Sequence, residues 1–302
     1  MKKVIILMIA MMMLLCTAAA EGDYSVVTPN GAPALAVAAL GERVQVLGDP
    51  SEIAGVFAKN EADFIIAPLN AGAMQYKKGN TNYRLAAVVT WGNLVFASQT
   101  PDFSLESING KQITLFGENT INASVALYIL REKGITPSET EYKAGAAETQ
   151  AMLIKDPDVI VMTAEPAVTA AKLTLKKEDK SAVSISLYDL YMEITGEDGF
   201  AQAGLFVREE TIRNAPELVK KGLEEIKASA DKCADDIEGA AADAVSMSVI
   251  PNENVAKAAI PGCHIRYISA ADARVRIERL VSIDPAQFGG ETPADEFYYD
   301  GE

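Results

Sequence analysis

The sequence predicts an α/β protein made of two similar units, each a mixed, mostly parallel sheet flanked by helices. Short β-rich runs alternate with Ala-rich helical runs from Tyr24 onward, the alternation breaks near Gly92-Asn93, and a second alternation begins at Lys111. A chain of 302 residues is also long for one compact core and natural for two.

The first unit reads in order YSVVTPN, GAPALAVAAL, RVQVLGD, PSEIAGVFAKN, ADFIIAPL and NAGAMQYKKG, a β-α-β-α-β-α succession. Strands separated by ten-residue helices must run parallel with right-handed crossovers, because only a crossover returns the chain beside its previous strand in the same direction. YRLAAVVTW and NLVFASQ then follow each other across Gly92-Asn93 with no helix between them, and read as a hairpin leading into a crossing strand.

The second unit reads KQITLFG, a helix from about Ile121 to Lys133 ended by Gly134, TEYKAG, a helix over AAETQAMLIKD, and the strand DVIVMTAEP. SAVSISLYDL and the strand FAQAGLFVREE lead into three helices, from about Pro216 to Cys233, across 235–250, and from about Ala270 to Val281. Leu218, Leu223 and Ile226 fall on one face of the first of these, as in an amphipathic helix lying on a sheet. The expected organisation is a leader over 1–20, a first lobe over 21–99, a second over 100–190, and a return to the first lobe over 191–302.

The leader, MKKVIILMIAMMMLLCTAAA, has two lysines, an apolar run from Val4 to Cys16, and Ala18 and Ala20 in an A-x-A pattern before Glu21. It reads as a secretory signal peptide, since the run is shorter than the roughly 20 residues that span a bilayer. The location expected is periplasmic or extracytoplasmic. In a rival reading Cys16 carries a lipid anchor; Leu15 counts against it, because lipoprotein signals usually place Gly, Ala or Ser there.

Lys and Arg number 27 against 42 Asp and Glu, a formal charge of −15, and loss of the leader removes two of the lysines. Nucleic acid and anionic lipid are poor partners for such a surface. Without the leader, two cysteines remain, Cys233 and Cys263. In an oxidising compartment they read either as a disulfide, worth roughly 3 to 4 kcal/mol, or as two buried thiols.

Enzymatic signatures are missing: the sequence has no G-x-S-x-G, P-loop or H-E-x-x-H pattern. Its one histidine, His264, adjoins Cys263, and strand neighbours point to opposite faces and make no dyad. Neither pair nor surroundings supplies enough ligands for zinc. No metal, cofactor or catalytic residue is expected.

Strand ends followed by helix starts nominate four loops: 28–33, 68–71, 117–122 and 164–166. An anion resting on helix N-termini there gains hydrogen bonds and the helix-dipole interaction. Asn30, Asn70, Asn119, Thr120 and Asn122 add side-chain hydrogen bonds, and Gly31, Pro68 and Gly117 belong to the same candidate set. Each also reads as a cap or turn residue. Trp91, the single tryptophan, either stacks on a ring or cation or seals the junction of the units. Glu165 either accepts from an amine or pyrimidine or caps the next helix. Helix N-termini favour an anion, while Glu118, Glu165 and Trp91 favour a cationic or aromatic compound. No Arg lies in the four loops to clamp a dianion.

ADFIIAPLNAGAMQYKKGN followed by RLAAVVTWGNLVF, then SLESINGKQITLFGENT, DVIVMTAEPAVTAA and FGGETPADEFYY, resemble in order the periplasmic substrate-binding proteins of ABC importers, in the sulfonate, taurine, nitrate and thiamine-precursor group. The resemblance covers most of the chain after the leader. It implies a two-lobed type II periplasmic-binding-protein fold with a ligand cleft between the lobes, a small-molecule ligand and a membrane permease as partner. Ligands in open α/β sheets sit beyond the carboxyl ends of strands, as the four loops do. The chain is expected to be a monomer. An exported sensor or scavenger is the alternative, and an enzyme on the same fold a more distant one.

Overall fold

The computed structural model describes residues 23–301 apart from Asp49. The leader over 1–20, its cleavage site and the Cys16 alternative lie outside the described residues.

The chain runs β1 (Val26–Pro29), α1 (Ala32–Leu35), β2 (Val44–Leu47), α2 (Ile53–Lys59), β3 (Phe64–Pro68), α3 (Leu69–Lys77), β4 (Tyr83–Thr90) and β5 (Leu94–Ser98). It continues with β6 (Gln112–Phe116), α4 (Ile121–Glu132), β7 (Glu139–Lys143), α5 (Ala146–Lys155), β8 (Val161–Ala164), α6 (Ala167–Lys176), β9 (Val183–Ser186) and α7 (Leu187–Thr195). β10 (Ala203–Arg208), α8 (Glu209–Asn214), α9 (Pro216–Asp235), α10 (Ile237–Ser246), α11 (Glu253–Ala259), β11 (Ile265–Ser269) and α12 (Ala270–Ile283) complete it.

Two sheets result, in the orders β11-β4-β10-β3-β1-β2 and β7-β6-β8-β5-β9. β2, β1 and β3 are parallel, and β10 runs against both β3 and β4. In the second sheet β7, β6 and β8 are parallel, and β5 runs against β8 and β9. The first sheet thus holds two reversed strands, β10 and the edge strand β11, which runs against β4, and the second holds one, β5; β10 and β5 each begin where the chain has just crossed from the other sheet. The mixed, mostly parallel α/β architecture read from the sequence is the one found.

YRLAAVVTW and NLVFASQ do not form the expected hairpin. β4 lies between β10 and β11 and β5 between β8 and β9, in different sheets. Gly92-Asn93 is therefore a crossing, which sequence proximity alone cannot tell from a turn. GAPALAVAAL also departs from its ten-residue helix, giving the four-residue α1 and a 3-10 stretch over Ala38–Arg43. Ala32, Ala34, Leu35, Ala36, Val37 and Ala38 are all buried, so the segment has no solvent face to sustain an amphipathic helix and packing overrides propensity.

In β3 the period-2 alternation sends Phe64 and Ile66 into one core and Ile65 and Ala67 into another. α9 covers the Phe64 side through Val219, Gly222, Ile226 and Cys233, while Leu218 and Leu223 only flank this seam. Gly222 sits so close that a Cβ would lie 2.5 Å from the Phe64 ring. α12 covers the other side through Ala273, Ile277 and Leu280, and that core continues without a break through Trp91, Leu94 and Phe96 to Leu115, Val125 and Ile129 of the second unit.

The disulfide reading does not hold: Cys233 and Cys263 are both free and buried. Their thiols face separate acceptors, Leu35 O at 3.6 Å and Ala259 O at 3.3 Å. Burial raises the Cys233 thiol pKa to about 12 and that of Cys263 well above its ordinary value.

Candidate functional site

The site begins with two chain crossings that lie side by side. Gln202 N donates to Thr90 O at 3.0 Å, and Asn93 N donates to Gln202 Oε1 at 3.2 Å. Glycine is needed on both strands of this crossing. Gly92 has φ +94° with Phe200 where a Cβ would be, and Gly199 has φ +81° with the Trp91 carbonyl 2.4 Å from that position.

Gln202 links the strand ends of the two sheets. Its backbone oxygen accepts from Leu69 N, the first residue of α3, at 3.0 Å, and its Nε2 donates to Asn122 Oδ1, in the first turn of α4, at 3.0 Å. Asn93 extends the chain of bonds to Glu165: Asn93 Nδ2 donates to Glu165 O at 2.6 Å and Glu165 N donates to Asn93 O at 2.8 Å. On the α3 side, Asn70 Nδ2 donates to Gln287 Oε1 at 3.0 Å. Close by in sequence, Asp284 accepts from Ser124 Oγ of α4 at 2.6 Å.

Of the candidates read from the sequence, Asn122 and Glu165 are joined by this network through Gln202 and Asn93, and Asn70 follows Leu69, whose N–H bonds Gln202 O. Pro68 ends β3 immediately ahead of α3. Gly117 and Thr120 close a tight turn, with Thr120 Oγ1 donating to Gly117 O at 2.6 Å and Gly117 at φ +71°. Asn119 is exposed within that turn, at φ +55°. Asn30 is exposed at the end of β1, where its Oδ1 accepts from Gly31 N at 2.8 Å. Neither Asn30 nor Asn119 shares a hydrogen bond with the network.

Trp91 has no face open to a ligand. It is 0 % exposed, its Nε1 donates to Arg266 O at 3.0 Å, and the Arg276 and Arg266 guanidinium carbons lie 4.8 and 5.5 Å from the ring centre. Arg276 NH1 is buried there without an acceptor. His264 is likewise engaged, stacked on Tyr188 at 3.8 Å with ring planes 3° apart, and burial lowers its pKa.

Glu165 has a raised pKa because burial disfavours its charge. Thr169 offsets this in part, donating from Oγ1 at 2.9 Å and from its backbone N at 3.4 Å, so the carboxylate caps α6. Glu165 also packs on Gly262 of the first unit, where a Cβ would be 3.0 Å from its Cγ.

Asn93, Gln202, Ser124, Asp284 and Gln287 were not among the candidates. Asn93 and Gln202 have a signal in the sequence, since both lie where β-α alternation fails; the other three have none. Away from the junction, a hollow of about 510 Å³ lies along the edge strand β2 and α2, lined by Gln45, Leu47, Glu52, Val56 and Lys59 among others. Among the described residues no group of three or more His, Cys, Asp or Glu side chains is placed to hold a metal ion.

Two sheets linked by paired crossings, with strand ends facing each other, define a periplasmic-binding-protein fold. The NMT1/THI5-like family model matches residues 43–240, and the chain belongs to that family. Among solved structures it is similar to an ABC transporter protein from Parabacteroides distasonis, with 20% identity, 93% of this chain and 99% of that one covered, and a TM-score of 0.78. It is similar to the ligand-binding component of an ABC-type import system from Staphylococcus aureus with zinc bound, at 11% identity, 92% and 97% coverage and a TM-score of 0.70. A third is the alkanesulfonate-binding protein SsuA from Xanthomonas axonopodis pv. citri bound to MOPS, at 13% identity, 89% and 94% coverage and a TM-score of 0.65. No curated protein sequence matches the chain significantly.

Proposed function

We propose that the protein is an extracytoplasmic solute-binding protein of an ABC-type importer, which closes two lobes on a small molecule and presents the closed form to a membrane permease. The observation that carries this reading is the Asn93–Gln202 crossing, because a paired two-strand connection between facing strand ends is a hinge with a cleft above it. Membership of the NMT1/THI5-like family and the likeness to import-system binding components support it.

One lobe comprises β1–β4, β10, β11 and the C-terminal helices, and the other β5–β9 with their helices. On this reading the lobes divide at the crossings, residues 91–93 and 199–202, in place of the expected boundaries at 99 and 190. The ligand is held by loops 28–33, 68–71, 117–122 and 164–166, with Asn70, Asn122 and Glu165 nearest the hinge and Asn30, Gly31, Pro68, Gly117, Asn119 and Thr120 around them. Trp91 serves as packing beneath the cleft. The protein is exported by its leader, acts as a monomer and binds without turnover. The stacking of His264 on Tyr188 and the burial of Cys263 support the absence of catalysis.

A thermal-shift screen with aliphatic sulfonates, nitrate, pyrimidines and amines, followed by calorimetric titration of each hit, tests the reading. The expected result is one-to-one binding with the ligand recovered unchanged. Chemical conversion of a bound compound, or stabilisation by none, overturns it.

A further inference from the structure

One short segment of the first lobe runs along the second. Gly262, His264 and Arg266 are alternate residues leading from the 3-10 turn Ile260–Cys263 into β11, and each meets the second lobe or the crossing that leaves it. A Cβ on Gly262 would lie 3.0 Å from Glu165 Cγ, and the His264 ring stacks on Tyr188 of α7 at 3.8 Å. Arg266 pairs with the Asp198 carboxylate through NH1 and donates from NH2 to Asp198 O at 2.7 Å. Between them, Cys263 turns its thiol back to Ala259 O. The backbone of the segment is pinned to the hinge: Trp91 N donates to His264 O at 3.1 Å, and Trp91 Nε1 to Arg266 O at 3.0 Å.

His264 is the one histidine of the chain, and histidine is the side chain whose ordinary pKa falls between pH 5 and 8. Its ring is half-buried, and the Tyr188 ring, within 3° of parallel, covers one face of it. Water reaches that face when α7 moves away. The Tyr188 hydroxyl is itself bonded to Asp198, so the same crossing segment that binds Arg266 also holds the covering ring in place.

The groups around His264 act in opposite senses. Burial lowers its pKa below the ordinary 6.5, Asp189 of α7 and Asp198 of the crossing raise it, and Arg266 of β11 adds to the lowering. Burial is the largest of these, so the docked lobes favour the neutral imidazole. Glu165, packed on Gly262, titrates in the contrary direction, because its own burial favours the protonated acid.

Resting on the two-lobed solute-binding reading, we infer that His264 makes the docking of the lobes proton-sensitive: an imidazolium is fully hydrated when Tyr188 parts from it, so acid drives the lobes out of the docked arrangement and loosens their hold on the solute. The sign follows from linkage. The contribution of His264 to docking is fully present above the ordinary 6.5 and is lost as pH falls through 6.5 and the lowered docked value.

The test compares ligand-free protein at about pH 7.5 and about pH 5.5 by small-angle scattering and by the fluorescence of Trp91, the single tryptophan. It is made on the wild type and on Glu165→Gln, which removes the opposing titration. The expected result is a larger radius of gyration and a shifted Trp91 emission in acid, greater in Glu165→Gln, with the far-ultraviolet circular dichroism unchanged. Any compound that binds should lose affinity roughly threefold or more over the same step. His264→Phe keeps a ring on Tyr188, and His264→Asn suits the backbone φ of +47°; either, added to Glu165→Gln, should flatten the response. A radius that does not change with pH in Glu165→Gln overturns the inference, as does a response that survives in both His264 variants. Compaction and tighter binding in acid overturn it too, since stacking on Tyr188 and the two acids then outweigh burial. Loss of circular dichroism in acid is unfolding and counts against it equally. Each of these leaves the solute-binding reading standing; failure of every compound to bind overturns that reading, while the scattering still decides the role of His264.

Discussion

Gln202 and Asn122 join the two sheets by a 3.0 Å hydrogen bond from Nε2 to Oδ1, while the same Gln202 amide accepts from Asn93 N on the adjacent crossing. One side chain therefore ties the hinge to the first turn of α4. Gln202→Ala leaves Asn93 N and Asn122 Oδ1 without partners in a buried or half-buried setting. The expected loss is about 1–3 kcal/mol in urea unfolding. A change within a few tenths would mean that solvent replaces both bonds and that Gln202 is not a structural link.

The crossing glycines give a sharper contrast. Gly199→Ala adds a Cβ at φ +81° and 2.4 Å from the Trp91 carbonyl, a backbone atom that cannot move aside without shifting β4. Left-handed geometry alone costs roughly 1–2 kcal/mol, so a loss above about 2 kcal/mol is expected by chemical denaturation. Gly55→Ala, on the exposed side of α2 with nothing within 4 Å of the new Cβ, should gain about 1 kcal/mol. Equal effects at the two sites would contradict the close approach of the crossings.

Much of this fold was legible because its periods are local. β1, β2, β3, β6, β8 and β10 fall inside the runs read as strands, β7 begins one residue ahead of its run, and β3 shows why: its successive residues Phe64 to Ala67 meet a core on one face or the other. What stayed hidden depends on distant partners. Gly92-Asn93 reads as a turn until Gln202, more than a hundred residues on, is known to lie beside it. Leu218 and Leu223 look like the buried face of α9 until Gly222 meets Phe64 and sets the helix rotation. The site divides in the same way. Asn70, Asn122 and Glu165 are legible as strand-end residues, whereas Ser124, Asp284 and Gln287 gain a role only through α12 and the segment after it, brought beside α3 and α4.

Glu165 gives a pH dependence of definite sign. Its folded-state pKa is raised above the ordinary 4.5, chiefly by burial, so the folded protein holds the proton more tightly than the unfolded chain. Stability contributed by this group is then greatest at low pH and declines as pH rises from about 4.5 through the raised folded value. Glu165→Gln keeps an oxygen for Thr169 and removes the charge. The variant should gain on the wild type as pH climbs through that window, in urea melts at matched pH. A constant offset between the two would place the carboxylate in water.

Cys233 and Cys263 should behave as protected thiols. Both are buried with raised pKa values, so little thiolate forms at neutral pH and what forms is inaccessible. In protein freed of its leader, an aromatic disulfide reagent should titrate almost nothing in the native state and two thiols in guanidinium, without prior reduction. Finding no thiol in the unreduced, denatured protein would establish the bridge that the structure lacks.

Ser124 and Asp284 form a latch on the α4 side of the junction, 2.6 Å from Oγ to Oδ2, next in sequence to the segment whose Gln287 holds Asn70. In a two-lobed receptor such a bond exists only while the lobes are together, so it biases the closed form without touching the ligand. Ser124→Ala removes it and leaves Asp284, a helix-end carboxylate that water can solvate when the lobes part. For a bond worth about 1 kcal/mol the closed-to-open ratio falls roughly fivefold, so in a protein that populates both forms comparably the closed fraction, and apparent affinity with it, falls roughly threefold. Small-angle scattering of the unliganded variant should show a larger radius of gyration than the wild type, with the maximal heat of binding per mole unchanged in sign and stoichiometry. If affinity drops while the unliganded radius stays put, Ser124 acts on the ligand directly and the latch is refuted; if neither changes, closure is governed by Gln202 and the hinge alone.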